Sequence, residues 1–257
     1  MTKQAFDAIN TYGQVVEETE RYSFYQLPEV KDRYDSNFMK LRVMPDLDEF
    51  QELVDELWKL ARKYGNTHGK VVFPEGVKPD EKLMAAAKEL RFEWSFLELY
   101  EVMPSEFIAG SGRSGSSEKI KIGWITPELV DVYGQMHFDD SVQWGEAYAT
   151  AIRAYKKGLI ERGAIRIVVA LLDDELVGAT DVILSEAHVE IDNFYVKPNF
   201  QKRGIGTAIQ QFVMNEAGER KVILVADGED TPRNMYQRQG YQFVTFQYAA
   251  LCQEFVK

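Results

Sequence analysis

The second half of the chain carries the clearer hydrophobic pattern. Residues 164–172 form a β-branched apolar run that predicts a buried strand, Asp173-Asp174-Glu175 predicts a turn, and residues 176–184 its hairpin partner. Ser185-Glu186-Ala187 turns the chain into a third strand at 188–196. Helical spacing then runs over 204–217, and 222–226 reads as another buried strand. A helix over 231–239 stops at Gly240, a residue suited to a left-handed end, and the aromatic-rich stretch 241–256 supplies closing strands. Ahead of these elements lie a short strand at 119–124 and a helix to 137 that begins with Thr126 as N-cap and Pro127 in its first turn. A longer helix follows over 141–162, with a break near Gly145. Strand, two helices, three meandering strands, helix, strand, helix, strands is the order of an α/β protein with a mixed sheet and helices on its faces.

The first half is less regular. Residues 22–27 and 37–43 are candidate strands, 70–73 a third, 80–90 a helix and 92–102 a strand or hairpin. Between them, residues 47–64 place Leu47, Phe50, Leu53, Val54, Leu57, Leu60 and Ala61 on one face of an amphipathic helix. Strand, helix, strand, helix, strand over 37–102 repeats the order found over 190–252, so the chain reads as two tandem copies of one unit. An unrelated α/β appendage is the alternative for the first half. Between the halves stands Gly110-Ser111-Gly112-Arg113-Ser114-Gly115-Ser116-Ser117, whose small polar residues predict a linker or an exposed loop. The expected organisation is therefore an accessory domain at 1–109, a linker at 110–117 and a second domain at 118–257.

Composition narrows the function classes. The 257 residues are 45% apolar and 28% charged, which suits a globular protein with a sizeable core. A formal charge of -11 argues against general binding to nucleic acid or to an anionic membrane. The one cysteine, Cys252, provides neither a disulfide within the chain nor a cysteine-based metal site, so no metal is expected. No apolar run approaches the roughly 18 residues of a membrane span, and a cytoplasmic location is the expectation.

Against this acidic background one segment is locally basic: Val196-Lys197-Pro198-Asn199-Phe200-Gln201-Lys202-Arg203-Gly204-Ile205-Gly206-Thr207. A strand runs in and a helix runs out. The first turn of a helix has unsatisfied N–H groups and the positive end of the dipole, which suits a phosphate. Gly204 and Gly206 let the backbone close on an anion, and Lys202 and Arg203 add positive charge. The lysine-containing loop of nucleotide triphosphatases and the three-glycine dinucleotide fingerprint are both absent.

Three features together resemble the Gcn5-related N-acetyltransferase superfamily. Gln201, Gly204 and Gly206 match its loop, Val196-Lys197-Pro198 its upstream signature, and Tyr236 with Gly240-Tyr241 its later tyrosine and glycine–aromatic pair. The resemblance covers residues 118–257 and implies that family's fold and acetyl-CoA as cosubstrate. It implies that the backbone of Gln201, Lys202, Arg203, Gly204, Ile205, Gly206 and Thr207 binds the pyrophosphate, and that Phe194, Tyr195 and Val196 pair with the pantetheine arm. It further implies that the strands on either side of the intervening helix splay apart there. Tyr236 stands where relatives keep a proton donor for the leaving thiolate. Glu190 stands where histone-modifying relatives keep a basic glutamate, with Asp192, two residues on and on the same strand face, as the alternative base. Both carboxylates could instead bind a cationic substrate. His137, Asp139, Asp140 and Trp144 lie between the two early helices, which in this family help form the acceptor site. One departure is Glu229, where many relatives carry an asparagine that touches the coenzyme.

The implied activity is transfer of an acetyl group to a primary amine of a small molecule or peptide. A non-catalytic acyl-CoA-binding regulator is the alternative, and a homodimer is left open. An aminoacyl-tRNA-dependent transferase, which also pairs copies of this fold, has no need of the coenzyme loop. In the first copy Val43-Met44-Pro45 echoes Val196-Lys197-Pro198, but Asp46-Leu47-Asp48-Glu49 follows in place of the glycine loop. That acidic stretch would repel a pyrophosphate, so the first copy is expected to be degenerate.

Overall fold

The computed structural model describes residues 4–109, 120–229 and 233–254. The expected linker at 110–117 lies outside them, as does the start of the predicted helix at 231–232. The chain forms two compact units, Met1–Glu98 with Asp227–Asp230 and Thr245–Lys257, and Leu99–Ala226 with Thr231–Val244. The division is therefore not a single cut at a linker. The physical reason is strand pairing.

The first unit contains strands β1 (Gln14–Glu18), β2 (Tyr22–Gln26), β3 (Phe38–Leu41) and β4 (Gly69–Val72), with helix α1 (Leu47–Tyr64) between β3 and β4 and helix α2 (Glu81–Glu89) after β4. Strand β5 (Glu93–Val102) begins in this unit and ends in the other. β1, β2 and β3 pair antiparallel, and β3 runs parallel to β4 through Met39↔Val71 and Lys40↔Val72. The final strand, β11 (Gln242–Cys252), lies antiparallel against β4, with Ala249↔Val72 through Cys252↔Gly69. The apolar face of α1 is buried from Phe50 to Ala61, while Leu47 in its first turn is exposed. Ala250 and Cys252 of β11 belong to the same core as Phe24, Phe50, Leu57, Phe73 and Phe92. The phenylalanine and leucine side chains contribute roughly 1.5–3 kcal/mol each on burial, and Ala250 and Cys252 close the same core, so residues 245–252 are part of what folds this unit.

The second unit contains β6 (Ile120–Trp124), α3 (Val130–Ser141), α4 (Glu146–Glu161), β7 (Arg166–Leu172), β8 (Glu175–Leu184), β9 (His188–Val196), α5 (Ile205–Ala217), β10 (Lys221–Asp227) and α6 (Arg233–Arg238). Residues 99–102 of β5 head its strand order, followed by β10, β9, β8, β7 and β6. β9 and β10 are parallel, and the hairpins β6–β7, β7–β8 and β8–β9 are antiparallel. Helix α5 packs on β6 through β9, with Ile205, Ile209 and Val213 against Val168, Val177 and Val182. Helices α3 and α4 pack on each other, and α3 on β8. The two are separated at Gly145, which adopts φ 113° after a short 3-10 turn. α3 extends to Ser141 rather than stopping at 137, so α4 begins at Glu146 rather than 141.

The repeat read from element order is present in the pairing as well. Each half has a parallel pair joined by a helix, β3–α1–β4 and β9–α5–β10. The third strand of each half then ends in the other unit: β5 runs on beside β10, and β11 beside β4. The fold is thus of the expected α/β class, a mixed sheet in which one strand–helix–strand unit occurs twice.

Candidate functional site

The loop from β9 to α5 is built without a cap of its own. A 3-10 turn over Pro198–Phe200 is followed by Lys202 at φ 61° and Gly204 at φ 83°, and no side chain caps the helix. The first α5 bond past the glycine is Ala208 N–H to Gly204 C=O at 3.0 Å, so the N–H groups of Ile205, Gly206 and Thr207 stand at the open start of the helix. No acidic residue lies in that first turn. Gly204 faces open space at the position a Cβ would take, and a Cβ on Gly206 would meet the Phe194 ring at 3.3 Å. Arg203 lies 5.2 Å above the Phe200 ring, and the Gln201 amide donates to the Val196 carbonyl at 3.1 Å, which closes the turn. The residues present fit a pyrophosphate: open N–H groups, a positive helix end, local cations and room.

The start of α1 is its opposite. Asp46 accepts from the Glu49 N–H at 2.9 Å and Glu49 accepts from the Asp46 N–H at 3.0 Å. This reciprocal capping box occupies the third-position donor, the counterpart of the Thr207 N–H that α5 leaves open, and places negative charge where an anion would sit.

Upstream of the loop, the β9–β10 ladder runs from Lys221↔His188 to Leu224↔Ile191. β9 continues to Val196 and β10 to Asp227 beyond that last pair. The ladder ends where β9 bulges: Asp192 lies opposite Asp181 and Tyr195 opposite Ala179, so β9 carries one residue more than β8 in between. Asn193, in the bulge, has φ 46°. The backbone edge of Phe194, Tyr195 and Val196 is therefore presented beyond the paired part of the strand, at the splay the sequence reading expects.

The predicted polar residues are distributed over this region. Glu190 is 3% exposed and Asp192 half-buried, and alternation puts both on the sheet face opposite Val189 and Ile191, which join the α5 core. The Asp192 carboxylate accepts from the Asn193 N–H at 2.8 Å and from its side-chain amide at 2.9 Å. Tyr236, on α6, is half-buried and packs its ring against Tyr100 and Tyr241, with centroids 5.7 and 5.5 Å apart. Asp139 and Asp140 line a cavity of about 620 Å³ with Val132, Met136, Gln143, Glu175, Tyr195, Lys197 and Phe200. Burial and these two aspartates push the Tyr195 phenol up from its ordinary pKa. His137 is not among the lining residues; it is buried against the Tyr133 ring with centroids 4.5 Å apart. Trp144 is 63% exposed, touches Tyr148, and does not line the cavity either.

Sequence reasoning passed over a buried network beside these residues. Asp181, on β8, is wholly buried and accepts from Lys156 Nζ at 2.8 Å, from the Asn193 amide at 2.9 Å and from the Tyr133 hydroxyl. Burial pushes its carboxyl up, but Lys156, the neighbouring His137 and the hydrogen bonds outweigh burial and hold it below the usual carboxylate range. The signal was present: a lone carboxylate in the apolar run of β8 requires a buried partner. Among the described residues no group of three or more His, Cys, Asp or Glu side chains is arranged to hold a metal, and no helix is long and apolar enough to cross a membrane.

The acetyltransferase (GNAT) domain family matches residues 163–243, and a domain of unknown function (DUF5613) matches residues 5–100. A functionally unknown conserved protein from Staphylococcus epidermidis is 30% identical, with 98% of this chain and 99% of that one covered and a TM-score of 0.88. A GCN5-related N-acetyltransferase from Kribbella flavida shares the fold at 13% identity, with 93% and 89% covered and a TM-score of 0.58. A tandem GNAT protein from the clavulanic acid biosynthesis pathway does so at 15% identity, with 92% and 80% covered and a TM-score of 0.54. No protein of curated function matches the chain. With a glycine loop inside the segment that matches the acetyltransferase (GNAT) domain family, residues 163–243, and with the fold of Gcn5-related N-acetyltransferases, the chain belongs to the same family as the Staphylococcus epidermidis protein.

Proposed function

We propose that the chain is an acetyl-CoA-dependent N-acetyltransferase that acts in the cytoplasm on a primary amine of a small molecule or peptide. The observation that carries this reading is the uncapped, glycine-edged start of α5 beside the unpaired end of β9. Bound there, acetyl-CoA would supply a thioester open to direct attack by an amine. The N–H groups of residues 201–207 hold its pyrophosphate, and the backbone edge of Phe194, Tyr195 and Val196 orients the arm. Glu190 takes the proton that the amine must lose, with Asp192 as the alternative, and Tyr236 returns a proton to the departing sulfur. Asp139 and Asp140 in the cavity wall favour an acceptor that arrives as a cation.

The burial of Glu190 at 3% exposure supports a second reading, a coenzyme-binding regulator without turnover. An acetyl-CoA turnover screen across amine classes separates the two. Thiol release with at least one amine is expected, and Tyr236→Phe should lower that rate by about 10²-fold or more with unchanged coenzyme affinity. Binding without turnover would select the regulator; absence of both would remove the acyltransferase reading altogether.

A further inference from the structure

We infer that Asp181 is a positioning residue for the coenzyme gap, acting through Asn193 to hold the bulge at which β9 parts from β10. This deepens the acyltransferase reading and rests on it. A non-glycine residue at positive φ is strained, and Asn193, at φ 46°, is held by its surroundings. Its side-chain amide donates to Asp181 Oδ2 and to Asp192 Oδ2, each at 2.9 Å. The Thr180 hydroxyl donates to the Asp192 carbonyl at 2.9 Å, which pins the bulge from the β8 side. These bonds act one and two residues past Ile191, the last β9 residue paired with β10, and just before the 194–196 edge.

The same carboxylate ties the bulge to two helices. Lys156 comes from α4, and Tyr133 from α3, the helix that also carries Asp139 and Asp140 into the cavity wall. Asp181 and Lys156 are 0% and 6% exposed, so a polar hub has been kept in a place where apolar residues would pack with less desolvation cost. Its geometry serves position: one oxygen takes the tyrosine, the other takes the lysine and the asparagine. Asp181 touches neither the loop nor the cavity, and its effect on the reaction passes through the backbone of residues 192–196.

Two variants of the full chain test this. Asn193→Gly tolerates the positive φ and removes the amide's bonds to Asp181 and Asp192, whereas Asp181→Asn removes the charge. Melting temperature, hydrogen exchange of β9, and acetyl-CoA binding and turnover are measured for both. The expected result for Asn193→Gly is a fold that melts cooperatively, faster exchange confined to residues 192–196, and turnover lowered on the order of a hundredfold as the reacting groups lose alignment. Asp181→Asn should show the same local exchange where it folds. Asn193→Gly with wild-type exchange, coenzyme affinity and turnover would overturn the inference, as would a loss of stability spread evenly through the unit. A wild-type chain that binds no acetyl-CoA would instead remove the functional reading, and the exchange arm would still decide whether the tether holds the bulge.

Discussion

The imidazole of His137 was expected at the acceptor site because it precedes Phe138-Asp139-Asp140. In the folded chain it turns inward, 9% exposed, and burial with the nearby Lys156 pushes its pKa down to about 3. His68 in the other unit is also depressed, chiefly by burial. A histidine unfolds to a pKa near 6.5, so below that pH the unfolded chain takes up a proton that the folded chain refuses. Stability is complete above about pH 6.5 and falls as pH drops toward the folded value, by about 1.4 kcal/mol per unit for His137, with His68 adding a loss of the same sign. Urea titrations between pH 7 and pH 4 should show this loss, and His137→Phe should reduce it by about 3 kcal/mol. Parallel pH profiles for the two proteins would contradict the assignment. Side-chain direction was the part of the site that spacing could not reveal. Asp139 and Asp140 line the cavity while His137 packs on the Tyr133 ring, and because the sequence reading ends this helix at 137 whereas α3 continues to Ser141, it assigned no helix face to the three residues.

Two helix starts carry the contrast between the copies. α1 was legible to its limits, because a seven-residue apolar stripe is bracketed by the Asp46 cap and by Gly65 at φ 75°. β9 was legible for a similar reason, with turns on both sides of its run. β1 was not, since Gln14-Val15-Val16-Glu17-Glu18 is a mostly exposed edge strand and has no buried face to print an alternation. The α5 loop was legible as an anion site from glycine and charge, but only the geometry shows its donors free of a cap. Opposed outcomes follow. Thr207→Asp places a carboxylate in the first turn of α5, which the helix dipole favours by about 0.3–1 kcal/mol, so melting should hold or rise while acetyl-CoA affinity collapses. Asp46→Ala should cost about 1 kcal/mol of stability by loss of a cap and leave coenzyme affinity unchanged. Calorimetric melting with titration of both variants checks the pair.

At the scale of the molecule, pattern reading found the tandem copies but not the exchange of their third strands. Strand partners far apart in sequence leave no local signal, and the apolar faces of β5 and β11 look alike whichever neighbour they take. Because residues 245–252 complete the first unit and 99–102 the second, the chain should not divide at 110–117 into two stable halves. Residues 1–109 and 118–257 expressed separately are expected to be poorly folded and to recover native circular dichroism when co-expressed; two cooperative, independent melts would contradict this. The open start of α5 against the capped start of α1 predicts that the second copy alone binds the coenzyme. Isothermal titration with acetyl-CoA should give one site per chain, abolished by Thr207→Asp and kept in Asp46→Ala; two sites per chain, or a site that survives Thr207→Asp, would overturn this division of roles.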